Sequence, residues 1–299
     1  MKAALPAGPA QIVGIGDDAA VLHAPDARVV ATMDLLVEGR HFRRDWSTAF
    51  DVGCKAAAQN LADIAAMGAV ATGLLVGFAA PGDLPADWAA GLVRGLARES
   101  ARAGASVAGG DVSSADSIMI AVTALGDLAG RDPVTRGGAR PGDQVALAGR
   151  PGRSAAGLAL LTAGLAEPAG LIAAHRRPQP PYDAGPQAAL LGATSMIDIS
   201  DGLVQDLGHV AAASEVRIDI DTARLPADPR LPEAAAALGD AEWLGWALTG
   251  GEDHSLAATF PAGTRLPARW SVIGTVSAGR GVRVDGGSSP AAGGWDHFR

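Results

Sequence analysis

Lysine is nearly absent from this chain. Two occur in 299 residues, Lys2 and Lys55, and alanine follows each. A P-loop needs Lys followed by Ser or Thr, so that design is excluded. The pair H-R-D and D-F-G of the protein kinases is also missing. Any nucleotide chemistry must use another arrangement. Cysteine is almost as scarce. With Cys54 alone, no intramolecular disulfide and no two-cysteine zinc site can form. Cys54 reads as a small buried packing residue. No apolar run reaches the roughly 18 residues of a membrane span. The opening "MKAALPAGPA" lacks the apolar core and cleavage pattern of a signal peptide, so a cytoplasmic protein is the expectation. Basic residues are outnumbered, with a net charge of -8 and a pI near 5.2. Such a surface suits neither a nucleic-acid backbone nor a membrane, and no partner of either kind is expected.

What is present points to two mixed α/β domains. Hydrophobic residues make up 48% of the chain, enough for sizeable cores. Strand-like and helix-like runs alternate. "RVVATM" (28–33) reads as a strand ending at Asp34, residues 52–67 as a helix, 72–79 as a strand and 86–103 as an alanine-rich helix. Strands are expected at 106–110 and 117–125. "GGARPGD" (137–143) is dense in Gly, Pro and charge and reads as a turn or boundary. The expected domains are therefore 1–138 and 139–299. In the second, strands are expected at "QVALAG", 194–200, 216–220, 254–260 and 270–276, with helices over 154–165 and about 202–213.

Acidic residues recur at strand ends and glycine turns. They are Asp17 and Asp18 in "GIGDDAAVL", Asp34 in "TMDLLVEGRHF", Asp111 in "VAGGDVSS", Asp198, Asp201 and Asp206 in "IDISDGLVQDLGH", and Glu252 and Asp253 in "TGGEDHS". Asp63 sits on the helix "NLADIAAMGA", on one face with Gln59 and Asn60. Its alanines and Gly68 would let that helix pack close to neighbouring backbone. Any single Asp after Gly can be a cap, and Asp201 reads that way too. Asp206 reads as a solvated helix residue. Five such segments exceed what capping explains. Carboxylates gathered together repel unless cations sit between them. Oxygen ligands suit Mg2+, which takes few protein ligands and leaves room for water and phosphates. The pattern points to several magnesium ions bridging phosphates. "GIGDDA" also fits the dinucleotide pattern G-x-G-x-x-A, but two aspartates there would oppose a pyrophosphate.

At these residues the chain resembles the thiamine-monophosphate kinase family, of the superfamily of aminoimidazole ribonucleotide synthetase and selenophosphate synthetase. The matching segments run in order: "GIGDDAAVL", "MDLLVEGRHF", "NLADIAAMGA", "AGGDVSS", "RGGARPGD", "GRSAAGLALL", "IDISDGLVQDLGH", "TGGEDHSL" and "GWDHF". The resemblance implies the two-domain ATP-binding fold of that superfamily. It implies a homodimer joined through the N-terminal sheet, and a site in the cleft between domains. The implied reaction is ATP-dependent phosphorylation of thiamine monophosphate to thiamine diphosphate. Asp18, Thr32, Asp34, Asp63, Asp111, Asp198 and Asp201 match magnesium ligands, with Asp34, Asp111 and Asp201 the catalytic set. Gly110, Asp111, Arg136 and Ser200 match ATP-binding positions, and His41, Glu252 and Trp295 face the thiamine phosphate. Two features depart from the family. Thirteen residues precede Gly14, fewer than usual, and Met33 stands where Thr is common. A thioether is a poor magnesium ligand, so a backbone carbonyl would have to replace that contact.

The acceptor is itself a phosphate with a second pKa of about 6, so it needs no strong base. The difficulty is bringing two polyanions together, and direct transfer without a phospho-enzyme is expected. Arg136 is the cation for ATP phosphate, His41 would orient the acceptor, and Trp295 could stack on the thiazolium. Two other readings stay open. One is an amide-activating ATP-dependent synthetase of the same superfamily, and the other is a non-catalytic nucleotide-binding module.

Overall fold

The computed structural model describes residues 5–6, 8–13, 19–239 and 242–288. The chain separates into two compact units, residues 1–65 with 69–132, and residues 66–68 with 133–299. Each mixes helices and strands, as the alternating sequence pattern implies. Asp17, Asp18 and Trp295 lie outside the described residues.

In the first unit, β1 (Gln11–Val13) and β2 (Val21–Leu22) form a small antiparallel ladder. The main sheet contains β3 (Val30–Val37), β4 (Val70–Ala80), β5 (Val107–Ser114) and β6 (Met119–Asp127). Its order is β3-β6-β4-β5, with β4 and β5 parallel and the other neighbours antiparallel. Helix α1 (Ala49–Ala66) follows β3, and α2 (Ala86–Arg102) makes the crossover from β4 to β5. A capping box starts α1: the Asp51 carboxylate accepts the Thr48 N–H at 3.0 Å, and the Asp51 N–H donates to the Thr48 hydroxyl at 3.2 Å. Leu36, Leu74, Ile120, Val122 and Ala124 are buried, so one face of the sheet is covered. Met33, Leu35 and Leu75 are exposed, so the other is open.

The small residues of α1 have a geometric use, most sharply at Gly53, which the sequence reading did not name. A Cβ on Gly53 would lie 2.1 Å from the Leu92 carbonyl oxygen, and one on Gly95 would lie 2.1 Å from that of Phe50. Helices α1 and α2 therefore touch backbone to backbone at paired glycines. Gly68 lies beyond the end of α1 at φ +73°, where it terminates the helix.

The second unit is built on seven strands: β7 (Gln144–Ala148), β8 (Ser195–Ile199), β9 (Arg217–Ile220), β10 (Ser255–Phe260), β11 (Trp270–Ser277), β12 (Gly281–Val284) and β13 (Gly287–Ser288). The order is β13-β12-β9-β11-β7-β10-β8, and β12 with β9 is the parallel pair. β8 and β10 are buried along their whole length, so both faces of the sheet are covered there. Helix α3 (Arg153–Thr162) follows β7, then α4 (Ala169–Arg176) and α5 (Ala184–Leu190). Helix α6 (Leu203–Ser214) packs Leu203, Leu207 and Val210 against Val145, Ile197 and Ile273 of the sheet. Helix α7 (Leu231–Ala237) joins α3 and α4 in a second cluster of Ala156, Leu160, Leu171 and Leu231, and α8 (Trp243–Thr249) adds Trp246. No helix among the described residues is long and apolar enough to cross a membrane.

Candidate active site

In the first unit a strand and a helix present oxygen ligands to each other. The Thr32 hydroxyl donates to the Asp63 carboxylate at 2.7 Å. Asp34 is two residues on along β3, so it shares the face of Thr32. Its backbone N–H donates to Asn60 Oδ1 at 2.9 Å, and Asn60 Nδ2 donates to the Ala56 carbonyl at 3.0 Å. Asn60 is fully buried. It ties edge strand β3 to α1 and fixes the spacing of Asp34 from Asp63. Asp34 lies within β3, three residues before its end, where the sequence reading put it at the strand's tip. Met33, between Thr32 and Asp34, turns to the opposite face and is 60% exposed. Strand alternation removes its thioether from the carboxylate face.

Register separates Asp111 from this group. Asp34 pairs with Val122, Val122 with Val76, and Val76 with Gly110. Asp111 instead pairs with Gly77, one row over, and is exposed on edge strand β5. Gly110 has a structural reason to be glycine, since a Cβ there would lie 2.1 Å from the Val76 carbonyl oxygen. Beside it is an apolar groove lined by Val76, Phe78, Leu92, Val93, Leu96 and Val107, which also touches Gly110 and Asp111. After β3, the His41 Nδ1 accepts the Val37 N–H at 3.0 Å. That nitrogen is therefore unprotonated, and the neutral ring carries its proton on Nε2. The buried Lys55 ammonium donates to the His41 carbonyl at 3.0 Å, fixing the turn from α1.

The second unit holds the other carboxylates. Asp198 is buried on β8, with the His254 Nδ1 3.1 Å from its Oδ2. Asp201 precedes α6 and accepts from Gln205 Nε2 at 3.3 Å. The cap of α6 is supplied by Asp206, whose Oδ2 accepts the N–H groups of Asp201 and Gly202, each at 3.0 Å. This corrects the sequence reading twice. Asp206 is 2% exposed rather than solvated, and Asp201 is not the side-chain cap. Burial pushes the Asp206 carboxyl up to about 7, with the Asp198 charge adding to the rise and the two N–H groups opposing it. The loop from Gly250 to His254 packs on the end of β8. The Glu252 N–H donates to the Ser200 carbonyl at 2.8 Å and the His254 N–H to that of Ile199 at 2.9 Å. This brings Glu252 beside Ser200. Arg136 is exposed in a loop whose carbonyl accepts from the Ser214 hydroxyl at the end of α6, at 3.1 Å.

The donors fit magnesium by their chemistry. Thr32, Asp34 and Asp63 offer hard oxygens on facing elements, and so does Asp201 in its own unit. Among the described residues no three of His, Cys, Asp and Glu form a metal-binding group. Magnesium needs only one or two carboxylates beside water and phosphate, so the Thr32–Asp63 pair with Asp34 is sufficient as a protein contribution. Asn60, Asp206 and His254 were not singled out from the sequence as supports. For Asn60 a signal exists: a polar residue three positions before Asp63 on an otherwise apolar helix.

Comparison with known proteins separates the remaining readings. Residues 16–128 match the AIR synthase related protein N-terminal domain, and residues 140–287 match its C-terminal domain. A thiamine-monophosphate kinase from Mycobacterium tuberculosis is 50% identical over 289 residues, 96% of this chain and 86% of that protein. The crystal structure of thiamine-monophosphate kinase from Stenotrophomonas maltophilia is similar with a TM-score of 0.84 and 33% identity, over 94% of this chain and 93% of that one. The structure of AaThiL complexed with AMPPCP and TMP is similar with a TM-score of 0.85 and 35% identity, over 95% and 92% of the two chains. The chain belongs to the thiamine-monophosphate kinase family, built from the N- and C-terminal domains of the AIR synthase related proteins.

Proposed function

We propose that this chain transfers the terminal phosphoryl group of ATP directly to the phosphate of thiamine monophosphate, giving thiamine diphosphate and ADP. The observation that carries the reading is the similarity to AaThiL complexed with AMPPCP and TMP, which extends over 95% of this chain. Bound Mg2+ would shield the phosphates of both substrates from each other. Asp34, Asp63 and Thr32 would hold it in the first unit, and Asp201 and Asp198 in the second. Asp18 and Asp111 complete the proposed ligand set. Arg136, on its exposed loop, pairs with ATP phosphate; Gly110 in the first unit and Ser200 in the second are each proposed to contact ATP. The apolar groove beside Gly110 suits the purine base, because a flat aromatic ring gains by burial among Val76, Phe78, Leu92 and Val93. His41, its Nδ1 held by the Val37 N–H, orients the acceptor phosphate. Glu252 and Trp295 take the thiamine end.

We further propose that the protein is a homodimer in the cytoplasm, where ATP is plentiful. The open face of the N-terminal sheet supports this reading: Met33, Leu35 and Leu75 are large apolar side chains exposed on one face. Purified chain with ATP, Mg2+ and thiamine monophosphate should yield thiamine diphosphate. Asp63→Asn should retain the fold yet require at least tenfold more Mg2+ for half-maximal rate. No product at millimolar magnesium would overturn the activity, and an unchanged magnesium requirement in Asp63→Asn would overturn its metal role. Label appearing on the enzyme from ATP would overturn direct transfer.

A further inference from the structure

Glu252 and Asp253 are adjacent in the chain, but their carboxylates leave in different directions. Asp253 accepts the backbone N–H groups of Gly152 at 2.6 Å and Ser154 at 2.9 Å, closing the first turn of α3. Glu252 reaches toward α4, where its Oε2 lies 3.5 Å from the Nδ1 of His175. The same Nδ1 is 3.0 Å from the Ser154 hydroxyl. His175 is 6% exposed and Ser154 1%, so the imidazole and hydroxyl form a buried support under a carboxylate that remains partly exposed.

The backbone at Glu252 is held in an uncommon conformation. Its φ is +62°, in the left-handed region, where a Cβ crowds the following carbonyl oxygen. Such a conformation persists only where the surroundings enforce it. Here they do. The Glu252 N–H is bound by the Ser200 carbonyl, and preceding Gly251 has no room for a side chain, with Ser200 oxygen 2.3 Å from a Cβ placed there. Asp253 is anchored to α3 on the other side. Positive φ at a residue with a side chain also occurs at Ala27, Ala129, Glu215, His254 and Asp285, so what sets Glu252 apart is where its carboxylate points. Glutamate in this strained position, aimed at a buried imidazole, indicates that the direction of its carboxylate matters.

We propose that His175, backed by Ser154, is a positioning residue for Glu252, and that it sets the carboxylate against the cationic thiazolium end of the acceptor. This rests on the reading that Glu252 meets the acceptor. With its proton on Nδ1, the imidazole presents a positive edge to the Glu252 oxygen and to the Ser154 hydroxyl. Ser154 is itself fixed at the start of α3, so the ring cannot swing away from the carboxylate. The contact orients the Glu252 side chain before the acceptor arrives, which lowers the ordering cost of binding.

The test is steady-state kinetics with both substrates varied, on His175→Phe, His175→Asn, Ser154→Ala, Glu252→Gln and the double variant H175F/E252Q. His175→Phe should raise KM for thiamine monophosphate about tenfold and leave KM for ATP within twofold. His175→Asn keeps a polar group near the place of Nδ1 and should recover most of the loss. The double variant should be no worse than Glu252→Gln alone, because both changes remove one interaction. If His175→Phe does not fold, Ser154→Ala carries the test with a rise of two- to threefold in the same KM. Equal changes in both KM values, or a drop in melting temperature with KM unchanged, would overturn the proposal. A Glu252→Gln variant with normal KM for thiamine monophosphate would instead remove the assignment of Glu252, and the proposal with it.

Discussion

Asn60 is the residue whose loss should be felt in both stability and turnover. It is fully buried, accepts the Asp34 N–H through Oδ1, and returns a hydrogen bond to Ala56 of its own helix. Among the described residues strand β3 is at the edge of its sheet, and the Asp34 N–H on its outer side bonds to Asn60 rather than to a strand. Asn60→Ala would strand that donor. The bond is part-buried, and leaving such an N–H unsatisfied costs up to about 1–3 kcal/mol. The small cavity adds about 1 kcal/mol, giving about 2–4 kcal/mol in total. Asn60→Leu fills the space but still leaves the N–H unpaired, so it should cost about 1–3 kcal/mol. Comparing the two separates the bond from the cavity. Urea unfolding reads both, provided the slope with denaturant is unchanged. Turnover should fall at least tenfold in both variants at saturating substrates, since Asp34 loses its mooring. If both variants unfold within about 0.5 kcal/mol of the parent, Asn60 is not the tie between β3 and α1.

The remaining predictions concern the helix crossing and one buried acid. In Gly95→Ala the new Cβ would sit 2.1 Å from the Phe50 carbonyl oxygen, a backbone atom that no rotamer change can move. Helices α1 and α2 must separate, at a cost of about 1–3 kcal/mol, and calorimetry should show the melting temperature falling by several degrees. An unchanged melting temperature would mean that the paired glycines are not what sets the spacing. Asp253 is held by backbone N–H groups at α3, and enclosure of its carboxyl raises its pKa from 3.8 to about 7, against the opposing pull of the Ser154 and Gly152 N–H groups. The folded chain thus keeps a proton that the unfolded chain has already released. Its stabilising contribution is fully present below pH 3.8 and is lost as pH rises through about 7. The raised pKa corresponds to about 4 kcal/mol at most. Asp253→Asn should make stability measured from pH 5 to pH 8 decline less steeply than in the parent chain. Parallel curves for the two proteins would refute the shift.

The sheets and the long helices were readable because their signals are local. The runs 28–33 and 72–79 and the helix at 86–103 carry their own hydrophobic patterns, and the structure moves their ends by only a few residues. Helices α4, α5, α7 and α8 were not read as elements. Each has seven or eight residues, two turns at most, which is too short for a helical period to stand out from alanine-rich sequence. Helices α4, α7 and α8 are held by packing into the cluster around Leu160 and Leu171, and α5 by packing on β10, rather than by propensity. The supporting residues of the candidate site escaped for a similar reason. Glu252 was named from the sequence, but Ser154 and His175 are far from it in the chain and meet it only because α3, α4 and the loop after α8 converge.

Two residues show how a side chain's role depends on what lies one position away. Met33 looked like a flaw in a run of magnesium ligands. In a strand, neighbours point to opposite faces, so its thioether is placed on the open side of the sheet while Thr32 and Asp34 face the helix. What the chain gives up at position 33 is one oxygen donor, while Thr32, which meets Asp63, and Asp34 beside it on the same face are intact. Asp201 and Asp206 exchange parts in the same way. Once Asp206 reaches back to the N–H groups of Asp201 and Gly202, the helix start no longer needs the Asp201 carboxylate. Asp201 is then held at its backbone by Asp206, and its carboxylate accepts from Gln205 Nε2 at 3.3 Å. Burying Asp206 as the cap is costly enough to raise its pKa to about 7. That cost makes sense if the benefit is a carboxylate at position 201 that serves chemistry instead of the fold.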